Sequence, residues 1–174
     1  VCFHDVYPEG TVAVNSFSKS FAMPGHRIGY LFSPPDIYPY IYRVQQYSVA
    51  CANAPSQYGA LAGLGRHRDI IDPMVMEYRK RRDAAVDRIN RIERLSVRKP
   101  EGAFYLFINI KETGMKSWDF CEKLLRESGV VTVPGTAFGP GGEGFIRISY
   151  AASLDTVVSA IDEIESFITM ATGG

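Results

Sequence analysis

Two rhythms of apolar residues run along the chain. The first is short and strand-like. Thr11 to Phe17 (TVAVNSF) alternates Val12 and Val14 with small or polar residues, and Ile28 to Phe32 (IGYLF) is a brief apolar run. Pro24-Gly25 marks a tight turn between them. After Pro34-Pro35, Asp36 opens a predicted helix that reaches about Tyr47. A second helix is expected from Ala54-Pro55-Ser56 to about Gly65, because proline in a first turn lacks only a donor the helix would not use. The second rhythm is helical. Over residues 73 to 95, Val75, Tyr78, Ala85, Ile89 and Ile92 recur at three- and four-residue steps with a gap at Arg82, which predicts one long helix.

From about Val97 the texture changes. Ala103 to Ile110 (AFYLFINI) predicts a strand with Phe104, Leu106, Ile108 and Ile110 on one face. Ser117 is the expected N-cap of a helix through Ser128, with Gly129 as its C-cap. Strands are expected at Val130 to Val133 and Phe145 to Tyr150, joined through Pro134-Gly135 and the loop Gly139-Pro140-Gly141-Gly142-Glu143-Gly144. Ser153 caps a last helix with the stripe Leu154, Val157, Val158, Ile161, Ile164 and Ile168. Strand, helix, strand, strand, helix in that order predicts an α+β domain over residues 73–174. Asp72-Pro73 marks the boundary with residues 1–72. That first segment supplies only two strands, so it is expected to expose apolar surface.

Apolar residues make up 46% of the 174 residues and charged residues 22%, as in a globular protein rather than a disordered one. The 19 basic and 19 acidic residues cancel, leaving no long-range field for nucleic acid or an anionic membrane. The run Arg79-Lys80-Arg81-Arg82 has acidic neighbours Glu77, Asp83 and Asp87 and no interleaved aromatics for base stacking; it reads as a solvated helix face. No stretch approaches the roughly 18 apolar residues of a membrane span. Cys2, Cys51 and Cys121 are odd in number and form no CxxC, and His4, His26 and His67 are scattered. A disulfide framework and a metal site are therefore not expected, and a cytoplasmic setting is. The chain starts Val1-Cys2-Phe3-His4-Asp5 without an initiator Met, and is expected to be a piece of something longer.

Chemistry concentrates in Ser16-Phe17-Ser18-Lys19-Ser20-Phe21-Ala22-Met23-Pro24-Gly25-His26-Arg27-Ile28-Gly29. A lysine just after a strand end can attack a carbonyl once it has lost its proton. Hydroxyls at Ser16 and Ser18 can donate to an anion, and eight residues beyond the lysine Arg27 offers a planar fork suited to phosphate. Amine, hydroxyls and guanidinium together are what a phosphorylated aldehyde requires. Singly, Lys19 and Arg27 would be no more than surface charges flanking a loop.

Taken together, the stretch resembles the pyridoxal-phosphate lysine motif of the class I/II (fold type I) aminotransferases: S-x-[ST]-K, five residues, then G-x-R-x-G. Further segments are similar in order along nearly the whole chain: Asn53-Ala54-Pro55-Ser56-Gln57, Pro100-Glu101-Gly102-Ala103-Phe104-Tyr105, Val133-Pro134-Gly135 with Phe138-Gly139, and Phe145-Ile146-Arg147-Ile148-Ser149-Tyr150. The resemblance implies that residues 1–72 are the C-terminal part of an α/β cofactor-binding large domain and residues 73–174 the small α+β C-terminal domain. It implies pyridoxal 5'-phosphate as cofactor, amino acids and 2-keto acids as substrates, and a homodimer. Lys19 would bond the cofactor aldehyde and then act as general base. Ser16, Ser18 and Arg27 would hold its phosphate, and Arg147 would pair with the substrate α-carboxylate.

The family also has an upstream Asp that pairs with the pyridine nitrogen, and a Tyr three residues later. Asp5 and Tyr7 lie only 14 and 12 residues before Lys19. They are read as part of a surface loop after the true pair, which places the chain in the C-terminal half of an aminotransferase that is incomplete by itself. Alternatives that share these positions are a fold type I carbon–sulfur lyase or cyclopropane-forming synthase, and the effector domain of an aminotransferase-like transcription regulator.

Overall fold

Alternation in the first segment builds only a hairpin. In the computed structural model, which describes residues 2–172, the chain divides into two compact units, Val1–Met74 and Val75–Gly174. The first unit opens with the single helical turn α1 (Phe3–Val6), so Asp5 is helical rather than in the expected loop, while Tyr7 follows the helix and is exposed. Strand β1 (Ala13–Ser16) is shorter than its hydrophobic pattern, because Phe17 already begins the helical turn α2 (Phe17–Ser20). β1 pairs antiparallel with β2 (Gly29–Phe32), from Ala13 opposite Phe32 to Ser16 opposite Gly29. Then come α3 (Tyr38–Ser48), α4 (Ala54–Gly65) and α5 (His67–Ile89). Asn53 caps α4 by accepting the Ser56 N–H at 2.9 Å, and Pro55 sits in its first turn as expected.

Helix α5 departs from the expectation at both ends. It starts at His67 and carries Pro73 in its interior, so Asp72-Pro73 does not interrupt it. It stops at Ile89, and Ile92 and Leu95 enter the core from the turns that follow. Val75 is exposed and Val86 is buried in its place.

The second unit adds β3 (Ser96–Val97), β4 (Tyr105–Asn109), α6 (Ser117–Ser128), β5 (Val133–Pro134), β6 (Phe145–Ser149) and α7 (Leu154–Thr172). The sheet order is β3-β4-β6-β5 and every pairing is antiparallel. The expected strand at 130–133 contracts to Val133–Pro134, and β3 is a two-residue strand too short for an alternating pattern to mark it. Leu106, Ile108 and Ile110 point into the core as the alternation required, joined by Ile146 and Ile148 from β6. The outward face carries Tyr105 and Phe107 of β4 and Phe145 and Arg147 of β6. Helix α6 contributes Phe120, Cys121 and Leu124, and α7 contributes Val157, Ile161, Ile164, Phe167 and Ile168. Each large buried apolar side chain is worth roughly 1.5–3 kcal/mol, so this cluster carries the unit's stability.

The basic run on α5 is tied down locally. Arg81 pairs with Glu77 at 2.9 Å and Arg82 with Asp83 at 2.8 Å, while Arg79 and Lys80 face solvent. No helix among the described residues is long and apolar enough to cross a membrane.

Candidate active site

The lysine motif occupies the end of the β1–β2 hairpin. Phe17 and Ile28 are buried there with Ala60 of α4, and Phe21 and Met23 pack against them. These apolar anchors fix the two ends of the connecting segment. The Phe17 N–H donates to the Ile28 carbonyl at 3.2 Å, which carries the ladder one step past Ser16–Gly29. Ser18 and Arg27 are the next positions on the two sides. Lys19 follows as the third residue of α2 and is exposed. The register thus brings Ser16, Ser18, Lys19 and Arg27 to one hairpin end.

Local polar bonds shape this end. Ser16 caps α2: its Oγ accepts the Ser18 N–H at 3.0 Å and donates to Ser18 Oγ at 3.0 Å. Arg27 has left-handed backbone (φ 49°, ψ 49°) and donates from Nη1 to the Pro24 carbonyl at 3.1 Å. A non-glycine residue in that region costs energy, and the neighbouring contacts hold it there. Ser56, nearly fully buried in the first turn of α4, donates to the His26 carbonyl at 3.0 Å and lies 3.1 Å from His26 Nδ1. This link fixes the residue before Arg27, and the sequence offered only Ser56's place in a family-like segment to suggest it. Of the motif's two glycines, Gly29 is the one the backbone demands: a Cβ there would lie 2.5 Å from the Asn15 carbonyl oxygen, whereas one on Gly25 would meet nothing within 4 Å. Arg27 also lines a cavity of about 730 Å³ with Asn15, Tyr38, Tyr42, Gln45 and Asn53.

The donor set suits pyridoxal phosphate. It offers an exposed primary amine for the aldehyde, and hydroxyl and guanidinium donors for the phosphate, at one end of one hairpin. Among the described residues, Arg27 has only the Pro24 carbonyl as a side-chain partner, leaving most of its fork for an anion.

Arg147 belongs to the second unit. It sits half-buried on β6, an interior strand, opposite Phe107 on one side and Val133 on the other. Its guanidinium carbon lies 4.3 Å from the ring centre of Tyr105 and 4.5 Å from that of Phe138. Among the described residues it makes no ion pair and donates no hydrogen bond. Cation–π contacts with two rings orient the group without consuming its N–H donors, each worth about 0.5–2 kcal/mol. A carboxylate could take two parallel bonds from such a fork. In the sequence, Tyr105 and Phe138 stand out only as parts of family-like segments. Their role becomes visible only in the fold, which sets both rings against the guanidinium.

A fold of this kind, with a lysine–arginine hairpin end and an unpaired sheet arginine, defines a class, and comparison with known proteins agrees. The model of the aminotransferase class I and II family matches residues 1–164, and the chain belongs to that family. It is 44% identical over 160 residues to a protein named probable N-acetyl-LL-diaminopimelate aminotransferase from Bacillus subtilis (strain 168), covering 91% of this chain and 40% of that protein. It is 43% identical over 162 residues to an aspartate aminotransferase of Musicola paradisiaca (strain Ech703), covering 92% of this chain and 40% of that one. Among solved structures, an aromatic aminotransferase from Pyrococcus horikoshii OT3 superposes with a TM-score of 0.88 at 38% identity, covering 93% of this chain and 44% of that one. The fold is that of the fold type I aminotransferases. The chain spans about two fifths of the length of the curated relatives it matches.

Proposed function

We propose that the chain carries the cofactor lysine and the carboxylate-binding arginine of a pyridoxal-phosphate-dependent aminotransferase, which moves an amino group between an amino acid and a 2-keto acid. The observation that carries this reading is the hairpin end: Ser16 closes the β1–β2 ladder, the Phe17–Ile28 bond extends it one step, and Ser18 and Lys19 on α2 and Arg27 follow directly on its two sides. Residues 1–72 then close a large cofactor-binding domain, and residues 73–174 form the small one.

When bound, pyridoxal phosphate supplies an aldehyde and a protonated ring that takes up electrons released at the substrate α-carbon. Lys19 Nζ holds the aldehyde and moves the proton at that carbon. The hydroxyls of Ser16 and Ser18 and the guanidinium of Arg27 bind the phosphate. Arg147 orients the substrate through its α-carboxylate, held ready by Tyr105 and Phe138. A cytoplasmic homodimer belongs to the same proposal. It is supported by three unpaired thiols and by the apolar surface of the first unit.

No turnover is expected from these 174 residues alone. Keeping the ring nitrogen protonated requires a facing carboxylate, and Asp5 is engaged by the Cys2 N–H at 3.2 Å within its own helical turn. The purified chain, incubated with pyridoxal phosphate and reduced with borohydride, should yield one modified peptide containing Lys19, absent in Lys19→Ala. Mixed with cofactor, an amino acid and a keto acid, it should show no amino transfer. An adduct on Lys80 instead of Lys19 would overturn the assignment.

A further inference from the structure

Helix α6 does not cap itself. Its N-cap residue, Lys116, makes no side-chain capping bond, and Ser117, the expected cap, is the first helical residue. The cap comes from Glu143, whose Oε1 accepts the Ser117 N–H at 2.8 Å and the Gly144 N–H at 3.2 Å. Those bonds, the Ser117 N–H foremost, hold the Glu143 carboxyl below its ordinary range, so it is an ionised acceptor at neutral pH.

The Ser117 hydroxyl is fully buried and fully used. It accepts from the Gly144 N–H at 2.8 Å and the Phe145 N–H at 3.2 Å, and donates to the Gly142 carbonyl at 3.4 Å. Every bond of this side chain goes to residues 142–145. That segment has the carboxylate grip on both sides. Upstream, two 3₁₀ turns, Gly135–Phe138 and Pro140–Gly142, lie back to back, so close that a Cβ on Gly142 would stand 2.0 Å from the Gly135 carbonyl oxygen. Phe138 ends the first turn and covers Arg147. Downstream, β6 starts at Phe145, two residues before Arg147.

We infer that Ser117 and Glu143 are positioning residues for Arg147: they fix both the turn that brings Phe138 onto the guanidinium and the start of the strand that presents it. An arginine ordered beforehand loses less freedom when it binds a carboxylate. The functional consequence rests on the reading of Arg147 as carboxylate anchor, whereas the positioning itself can be measured without it.

The test uses the whole chain labelled with nitrogen-15 and observes the arginine Nε–Hε signals. The Arg147 signal is assigned by its loss in Arg147→Lys. Ring currents from Tyr105 and Phe138 should shift it away from the signals of exposed arginines. Ser117→Ala should move it toward the exposed position, while the Arg88 signal, fixed by Asp162 and Glu165, stays put. Ser117→Thr, which keeps the hydroxyl, should restore it. An unmoved Arg147 signal in a Ser117→Ala chain with an otherwise native spectrum would overturn the inference. Should Ser117→Ala fail to fold, Glu143→Ala decides by the same rule, since Glu143 is exposed. Excess pyruvate added to the native chain tests the anchor separately: no response at Arg147 counts against the carboxylate reading and leaves the positioning result standing.

Discussion

Asp83 shows how a single carboxylate can tie together parts of the chain that are distant in sequence. Its Oδ1 lies 2.8 Å from Arg82 Nε on the same helix and 2.8 Å from Lys99 Nζ beyond β3. Arg82 also donates to the Pro100 carbonyl at 3.2 Å, so the pair steadies the turn leading into β4 and Tyr105. The bond from Arg82, and after it that from Lys99, lower the Asp83 carboxyl to about 2. A carboxyl depressed in the folded state stabilises fully above its unfolded value of about 4 and loses that contribution as pH falls through the folded value. Wild-type chain should therefore lose more melting temperature between about pH 4 and pH 2 than Asp83→Asn, measured by circular dichroism at matched ionic strength. Parallel curves for the two proteins would show that the pair adds no acid-sensitive stability. Arg147 has the opposite design, with rings on it instead of carboxylates, and so keeps its donors for a ligand.

At the scale of elements, the paired turns before β6 make a sharp contrast between neighbouring glycines. A Cβ on Gly142 would stand 2.0 Å from the Gly135 carbonyl oxygen, a backbone atom that cannot step aside; one on Gly141 meets nothing within 4 Å. Gly142→Ala should cost more than about 2 kcal/mol and Gly141→Ala less than about 0.5 kcal/mol, read from urea midpoints of the second unit. Equal midpoints would mean the turns are not packed back to back. The same region separates what a sequence discloses from what it hides. The stripe of α7 and the inward face of β4 are periodic, so they could be read directly. The lysine motif was legible because its partners lie within fourteen residues, on a turn closed by one strand pair. The cap of α6 differs from the expectation because a serine at a helix start usually caps through its own oxygen, while here the acceptor, Glu143, arrives from 26 residues away. Helix α5 runs on through Asp72-Pro73, so the backbone donor that the proline lacks does not end the helix there. The Ser56–His26 link and the rings on Arg147 join residues from separate elements that meet only through tertiary packing, and no local pattern announces them.

Across the whole molecule, the two units differ in how much apolar surface they bury. The second gathers Leu106, Ile108, Ile110, Phe120, Leu124, Ile146, Ile161, Ile164 and Phe167 into one cluster, all at 1% exposure or less. In the first, the buried cluster among the described residues is Phe17, Ile28 and Ala60, while Val14, Phe32 and Tyr47 stand 76%, 61% and 88% exposed. A two-stranded hairpin with so small a core is marginal in water, whereas a four-stranded sheet that shares one core with three helices, α5, α6 and α7, is not. Opening the first unit should accordingly require far less free energy than opening the second. Hydrogen exchange followed by mass spectrometry should find the amides of β1 and β2 exchanging at least ~100-fold faster than those of β4 and β6, a ratio that corresponds to about 3 kcal/mol of opening energy. A protein surface that docks onto the hairpin should slow β1 and β2 selectively and leave β4 and β6 unchanged. Equal protection of the two sheets in the isolated chain would mean that the first unit holds its fold without any such cover, and the apolar face of β1 and β2 would then need another explanation than an interface.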